Sequence, residues 1–244
     1  MDPVTLEILR CSLQSVAEEM GVTLGRTAFS PNIKERKDFS CAVFDSKGRM
    51  VSQAEHIPVH LGSMPLSVKE ALEEFAFDEG DIIILNDPYW GGTHLPDITL
   101  IAPVFCKDLL GFAACRAHHA DVGGKTPGSM PGDSREVYEE GLIIPPVKLY
   151  EKGKINEDIL KLILRNVRTP EERKGDLRAQ YSACETGKKR IGELTDKYGK
   201  KLVKEAFEEI MDYSERRMRK KITEFPKGRY EAHDFMDDDG VSND

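Results

Sequence analysis

Two apolar runs, Ile98 to Val104 and Leu110 to Ala117, are separated by little more than the polar pair Lys107 and Asp108. That pattern predicts an antiparallel hairpin. With its turn near Lys107 and Asp108, Asp97 falls opposite His118, within one position, and His94 lies at the mouth. Period-two geometry then sends His118 and His119 to opposite faces, so only one of them shares a face with Asp97. Which one depends on the turn type, and both stay open at this point.

The hairpin is fed by a second short strand. Asp81 to Leu85 (DIIIL) is apolar and rich in isoleucine, and it stops at Asn86-Asp87-Pro88. Asn86 to Pro96 is expected to be a loop, with Gly91-Gly92 permitting positive φ and close backbone approach. One end of a sheet thus gathers a carboxylate and two imidazoles that are distant in sequence. Such a set suits zinc, manganese or iron(II) and does not suit calcium, which prefers oxygen alone. The spacing is not the helical His-Glu-x-x-His of zinc peptidases, because Glu is absent and Pro96 opposes a helix. The competing reading is that each histidine is a hydrogen-bonded residue at a strand end.

The rest of the chain reads as scaffold. Asp2-Pro3 starts a helix with Leu6, Leu9, Leu13, Val16 and Met20 on one stripe and an end near Gly21. A loop from Thr27 to Lys37 leads to a hairpin of Phe39–Phe44 and Met50–Gln53, turned at Asp45-Ser46-Lys47-Gly48. Asp38 stands at its entrance, a turn or cap carboxylate on residue type alone. Glu35 and Arg36 read as a local charged pair. His56 and His60 flank Pro58, which opposes a helix, and are candidates for a place near a substrate path. A second helix begins at Ser63-Met64-Pro65.

Gly123 to Tyr138 is a long loop by composition, a lid or partner contact in the functional reading. Leu142 to Leu149 reads as a strand interrupted by Pro145-Pro146. From Asn156 the pattern is helical: one segment over Ile159–Leu164, then a long helix from the capping box at Thr169-Pro170-Glu171-Glu172 to Gly199. Another is lined by Leu202, Val203, Ala206, Ile210 and Tyr213, and the two long helices are expected to pair antiparallel. The basic run Arg216 to Lys221 reads as a solvated helix end.

Composition excludes several classes. With 244 residues the chain can bury a sizeable core. A net charge of −8 and no basic stripe with interleaved aromatics argue against nucleic acid. No apolar run approaches the roughly 18 residues of a membrane span, and the first residues lack a signal peptide's pattern, so a cytoplasmic location is expected. Five cysteines without Cys-x-x-Cys spacing are expected to be reduced, buried thiols. Cys115, four residues before His119, is set aside as a nucleophile. No Walker-type phosphate loop occurs.

Several separated segments carry a resemblance. ERKDFSCAVFDSKG (Glu35 to Gly48), HIPVHLGSMP (His56 to Pro65), NDPYWGGTHLPDITLIAPVF and HHADVGG are similar to the B-type subunit of the ATP-dependent hydantoinases, a family that includes 5-oxoprolinase, caprolactamase and the α subunit of acetone carboxylase. The resemblance runs from about Asp2 to the end. It implies a divalent metal (zinc, manganese or iron) held by Asp38, His94, Asp97 and His119, the second histidine of the pair. It further implies hydrolysis of a cyclic amide whose carbonyl oxygen is phosphorylated with ATP on a hydantoinase A-type partner subunit, with Asp121 as the candidate base or orienter. An acetone-carboxylase-like carboxylating subunit and a non-catalytic assembly fragment are the alternatives.

The fold expected is α+β: an antiparallel or mixed sheet whose hairpins carry the metal site, followed by a C-terminal helical hairpin. The expected divisions are a metal-site domain over 1–150, a helical region packed on it over 151–230, and an acidic tail over 231–244. In the resembling family that tail leads to a second, β-rich half, so the chain reads as the N-terminal half of a subunit, by natural split or by truncation, with a separate C-terminal half among the candidate partners.

Overall fold

The computed structural model describes residues 1–60 and 62–235. Most of the acidic ending of the chain, with its expected link to a second half, lies outside the described residues.

In chain order the elements are α1 (Pro3–Thr27), α2 (Pro31–Lys34), β1 (Phe39–Asp45), β2 (Met50–Glu55), α3 (Met64–Glu74), β3 (Ile82–Leu85), β4 (Asp97–Cys106), β5 (Asp108–His118), β6 (Val147–Glu151), β7 (Lys154–Ile155), α4 (Glu157–Arg165), α5 (Pro170–Tyr198) and α6 (Lys200–Glu224). The seven strands form one sheet in the order β2-β1-β5-β4-β3-β6-β7. Every pairing in it is antiparallel.

Alternation along the strands sorts the core into two layers. Cys41 and Val43 of β1, Ile98, Leu100 and Ala102 of β4, and Ala113, Cys115 and Ala117 of β5 share a cluster with apolar residues of α1, α5 and α6. Their neighbours of opposite parity, Ala42, Phe44, Ile101, Phe112 and Ala114, pack with Met64, Val68 and Ala71 of α3. The central strands are covered on both faces, which is why they read as nearly continuous apolar runs. A polar residue on either face needs a partner there.

α1 runs antiparallel to α5, as the contacts Glu19–Arg190 and Thr23–Thr186 show. It does not stop at Gly21. That glycine is a packing position: a Cβ there would lie 2.0 Å from His56 Nε2, so the missing side chain admits a neighbour rather than ending the helix. The expected loop from Thr27 to Lys37 contains the single-turn α2.

The expected strand over Leu142 to Leu149 is shifted to Val147–Glu151. Its first half is held by the fully buried Asn86 side chain, which donates to Leu95 O and Leu142 O and accepts from Ile144 N. Pro145 and Pro146 have no N–H for a ladder. α5 and α6 are joined through Gly199 alone, at φ 83°. Thr169 caps α5 by position, but its side chain accepts no capping bond.

The cysteines depart in part from expectation. Cys41, Cys115 and Cys184 are buried thiols, while Cys11 is exposed and Cys106 intermediate. Cys115 points into the helical layer, its Sγ 3.7 Å from Cys184 Sγ.

Candidate metal centre

β4 and β5 pair with Asp97 opposite His118. Lys107, at φ 71°, forms the turn between Cys106 and Asp108. Asp97 has the parity of Ile101, and His118 that of Phe112 and Ala114, so both face the α3 side. His118 N donates to Asp38 O at 2.9 Å, which extends the β1–β5 ladder and sets Asp38 opposite His118. His94 arrives on the loop before β4, and Asp97 N donates back to His94 O at 3.0 Å.

That loop depends on its glycine pair. Gly91 has φ +81°, and a Cβ on Gly92 would lie 2.4 Å from Asn86 O and 2.6 Å from Asp87 O, both backbone. Alanine at Gly92 is expected to displace the segment carrying His94, at a cost of about 1–3 kcal/mol. Thermal unfolding beside ion titration checks this, with Gly132→Ala, at an ordinary φ and with a Cβ that would meet nothing within 4 Å, as the reference.

Asp97 is the hub. Its Oδ2 accepts from Thr93 Oγ1 at 2.7 Å and lies 3.1 Å from His94 Nδ1 and 3.5 Å from His60 Nε2. Its Oδ1 lies 3.3 Å from His118 Nδ1 yet has no hydrogen-bond partner, although buried. His94 Nε2 and His118 Nδ1 are 3.1 Å apart. One ligand atom each from His94, Asp97 and His118 lie within 4.8 Å of one another. Around one ion with bonds of about 2.0–2.2 Å, adjacent ligand atoms sit roughly 3–3.5 Å apart. The residues present therefore fit a divalent cation.

Electrostatics agree with that donor set. Burial alone would raise the Asp97 pKa, but the imidazoles of His118, His60 and His94 outweigh it and hold the carboxyl far below its usual range. His94 is shifted up, chiefly by its contact with Asp97, with a smaller contribution from Asp38. The group opens on one side: the His94 side chain is 37 % exposed and that of Asp38 22 %, against 1 % for Asp97.

The floor is Arg116, fully buried on the same face. Its guanidinium donates to Thr99 Oγ1 (2.8 Å), Ser63 Oγ (2.6 Å), Ser67 Oγ (2.7 Å) and Gly91 O (3.2 Å). It makes no ion pair among the described residues. Burial lowers its pKa to about 10, leaving it charged at neutral pH. Arg116 thereby ties β4, β5, the start of α3 and the His94 loop together. Sequence reasoning passed over it, although an arginine inside an apolar strand is itself a signal.

Of the four residues named from the resemblance, the structure places His94 beside Asp97 and Asp38 on the same side, 3.9 Å from His60 Nε2; His119 lies elsewhere. One residue past His118, it turns to the helical face, where Nε2 lies 2.8 Å from Gln180 Oε1. Gln180 Nε2 donates to Ile98 O at 2.9 Å, so its oxygen accepts from the imidazole. His119 Nδ1 has no partner, and burial lowers the ring's pKa to about 4. Strand parity thus gives His118 the place beside Asp97.

Asp121 is occupied otherwise than expected. Its oxygens accept from Gly123 N (3.0 Å), Gly128 N (3.2 Å), Arg168 N (3.1 Å) and Arg168 Nη1 (2.9 Å). Burial opposes ionisation, and these donors outweigh it. In this structure the carboxylate fixes the loop after β5. His56 packs edge-on against Phe39, ring centroids 4.5 Å apart, while His60 joins the group.

The sequence profile described as hydantoinase B/oxoprolinase matches residues 2–243. The chain belongs to the hydantoinase B/oxoprolinase family. Among its relatives, an uncharacterized protein of Methanocaldococcus jannaschii is 50% identical over 228 residues, covering 91% of this chain and 40% of that protein. The caprolactamase subunit beta of Pseudomonas jessenii is 38% identical over 243 residues, covering 98% of this chain and 42% of the relative. The crystal structure of the ATP-dependent caprolactamase from Pseudomonas jessenii superposes with a TM-score of 0.88 at 39% identity, covering 93% of this chain and 40% of that one. This hydantoinase B/oxoprolinase chain therefore spans about two fifths of the length of these relatives. No helix among its described residues is long and apolar enough to cross a membrane.

Proposed function

We propose that this chain is the metal-bearing part of a subunit that hydrolyses a cyclic amide, a lactam or hydantoin ring, activated by ATP on an A-type partner subunit. The observation that carries the reading is the buried, unpartnered Asp97 Oδ1 within the group of His94, Asp97 and His118. The relative named a caprolactamase subunit and the solved ATP-dependent caprolactamase support the substrate class and the need for a partner.

The ring amide is a poor electrophile, so transfer of phosphate to its oxygen is assigned to the partner. A divalent ion here, zinc, manganese or iron(II), supplies Lewis acidity toward water and the carbonyl oxygen. The chain's own residues do the rest. Thr93 and the imidazoles keep Asp97 ionised and oriented. Arg116 fixes the floor and excludes water beneath it. Asp38 and His94, on the open side, leave room for a flat ring to approach.

The test reconstitutes the chain with an A-type partner and with the remaining length of a family subunit, using 5-oxoproline, hydantoin and caprolactam as substrates. Ring opening is expected to require ATP, the partner and the ion, and to be lost on chelation and restored by adding metal. Turnover indifferent to chelation would contradict the proposal.

A further inference from the structure

His60 is the group's least expected member. It comes from the 3-10 turn Pro58–His60, and its side chain is 0 % exposed. Nδ1 lies 3.1 Å from Ser40 Oγ on β1, so the hydroxyl fixes the ring plane. Nε2 is buried without a hydrogen-bond partner. It faces two carboxylates from different segments, Asp97 Oδ2 at 3.5 Å and Asp38 Oδ1 at 3.9 Å. A buried ring nitrogen loses its hydration and here recovers no hydrogen bond. Both separations are long for hydrogen bonds, and the shorter one equals the spacing of neighbouring ligand atoms around one ion. An imidazole oriented through one nitrogen, with the other bare, is the usual arrangement of a metal ligand.

We infer that His60 supplies a third imidazole to the ion, through Nε2, beside His94 and His118, with Asp97 and Asp38 as the carboxylates. This rests on the metal-centre reading above and adds a fourth ligand segment to it. The turn is anchored for the purpose: Ser63 Oγ donates to His60 O at 3.1 Å and receives a bond from Arg116. Three nitrogen donors also tilt the choice of ion from manganese toward zinc or iron(II).

The experiment measures ion stoichiometry and affinity by elemental analysis and titration, and counts coordinated imidazoles by X-ray absorption at the metal edge. Wild type is expected to hold one ion with three imidazoles. His60→Gln is expected to show two, with affinity at least about 100-fold weaker, beyond the 10- to 100-fold range of an orienting residue. His56→Gln and His119→Gln are expected to keep three.

Three imidazoles persisting in His60→Gln, or a fall to two in His119→Gln, overturns the inference. Should His60→Gln fail to fold, the wild-type and His119→Gln counts decide it. A wild type holding its ion with only two imidazoles overturns this inference and leaves the metal centre standing. A wild type that binds no ion removes both.

Discussion

Asp97→Asn is expected to weaken divalent-ion binding by at least about 100-fold, more than loss of an orienting residue costs, and to abolish any ion-dependent turnover. The amide has the same shape and fits the same space, so the change is one of charge and donor pattern. Asp97 has a side chain 1 % exposed and is faced by three imidazoles and Thr93. In the variant one oxygen becomes an NH2, which cannot ligate and which repels any imidazole N–H turned toward it. Titration followed by elemental analysis reads the effect. Thr93→Val should weaken binding far less, since it removes only a bond that orients the carboxylate. Equal affinity in Asp97→Asn and wild type would exclude Asp97 as a ligand.

Arg116→Ala should destabilise the protein by roughly 2–5 kcal/mol, the scale of truncating a large, fully buried side chain. Four acceptors from three segments meet this guanidinium. Its loss leaves the Thr99 and Ser67 hydroxyls buried without it and opens a cavity beneath the His94 loop. Arg116→Lys is expected to rescue little, because an ammonium cannot reproduce the planar fork that reaches Thr99, Ser63 and Ser67 together. Chemical denaturation of the ion-free protein measures this directly, and ion titration of the folded fraction should show weaker binding as well. A loss below about 1 kcal/mol, the scale of an ordinary hydrogen bond, would mean that the residue does not hold the floor.

Much of this architecture is legible in the residues because it follows from alternation. The β4–β5 hairpin, its turn at Lys107 and the pairing of Asp97 with His118 all come from the spacing of apolar runs. The roles of Gly91 and Gly92 follow from the absence of a side chain. What cannot be read is which features tertiary packing overrides. Gly21 looks like a helix stop, yet it is a contact with His56. Asp121 looks poised for chemistry, and Arg168, forty-seven residues on, takes it for a loop. His56 and His60 share a parity in an extended chain, but the 3-10 turn at Pro58–His60 separates them. His118 and His119 are told apart by which face α3 covers, and nothing local to HHADVGG encodes that.

The most direct test is anomalous diffraction at the metal absorption edge from crystals of the ion-loaded chain. The account predicts one peak on the α3 face of the sheet, within ligand distance of Asp97, His94 and His118. A peak instead beside His119 Nδ1 and Gln180 on the helical face, or none in protein saturated with ion, would contradict it.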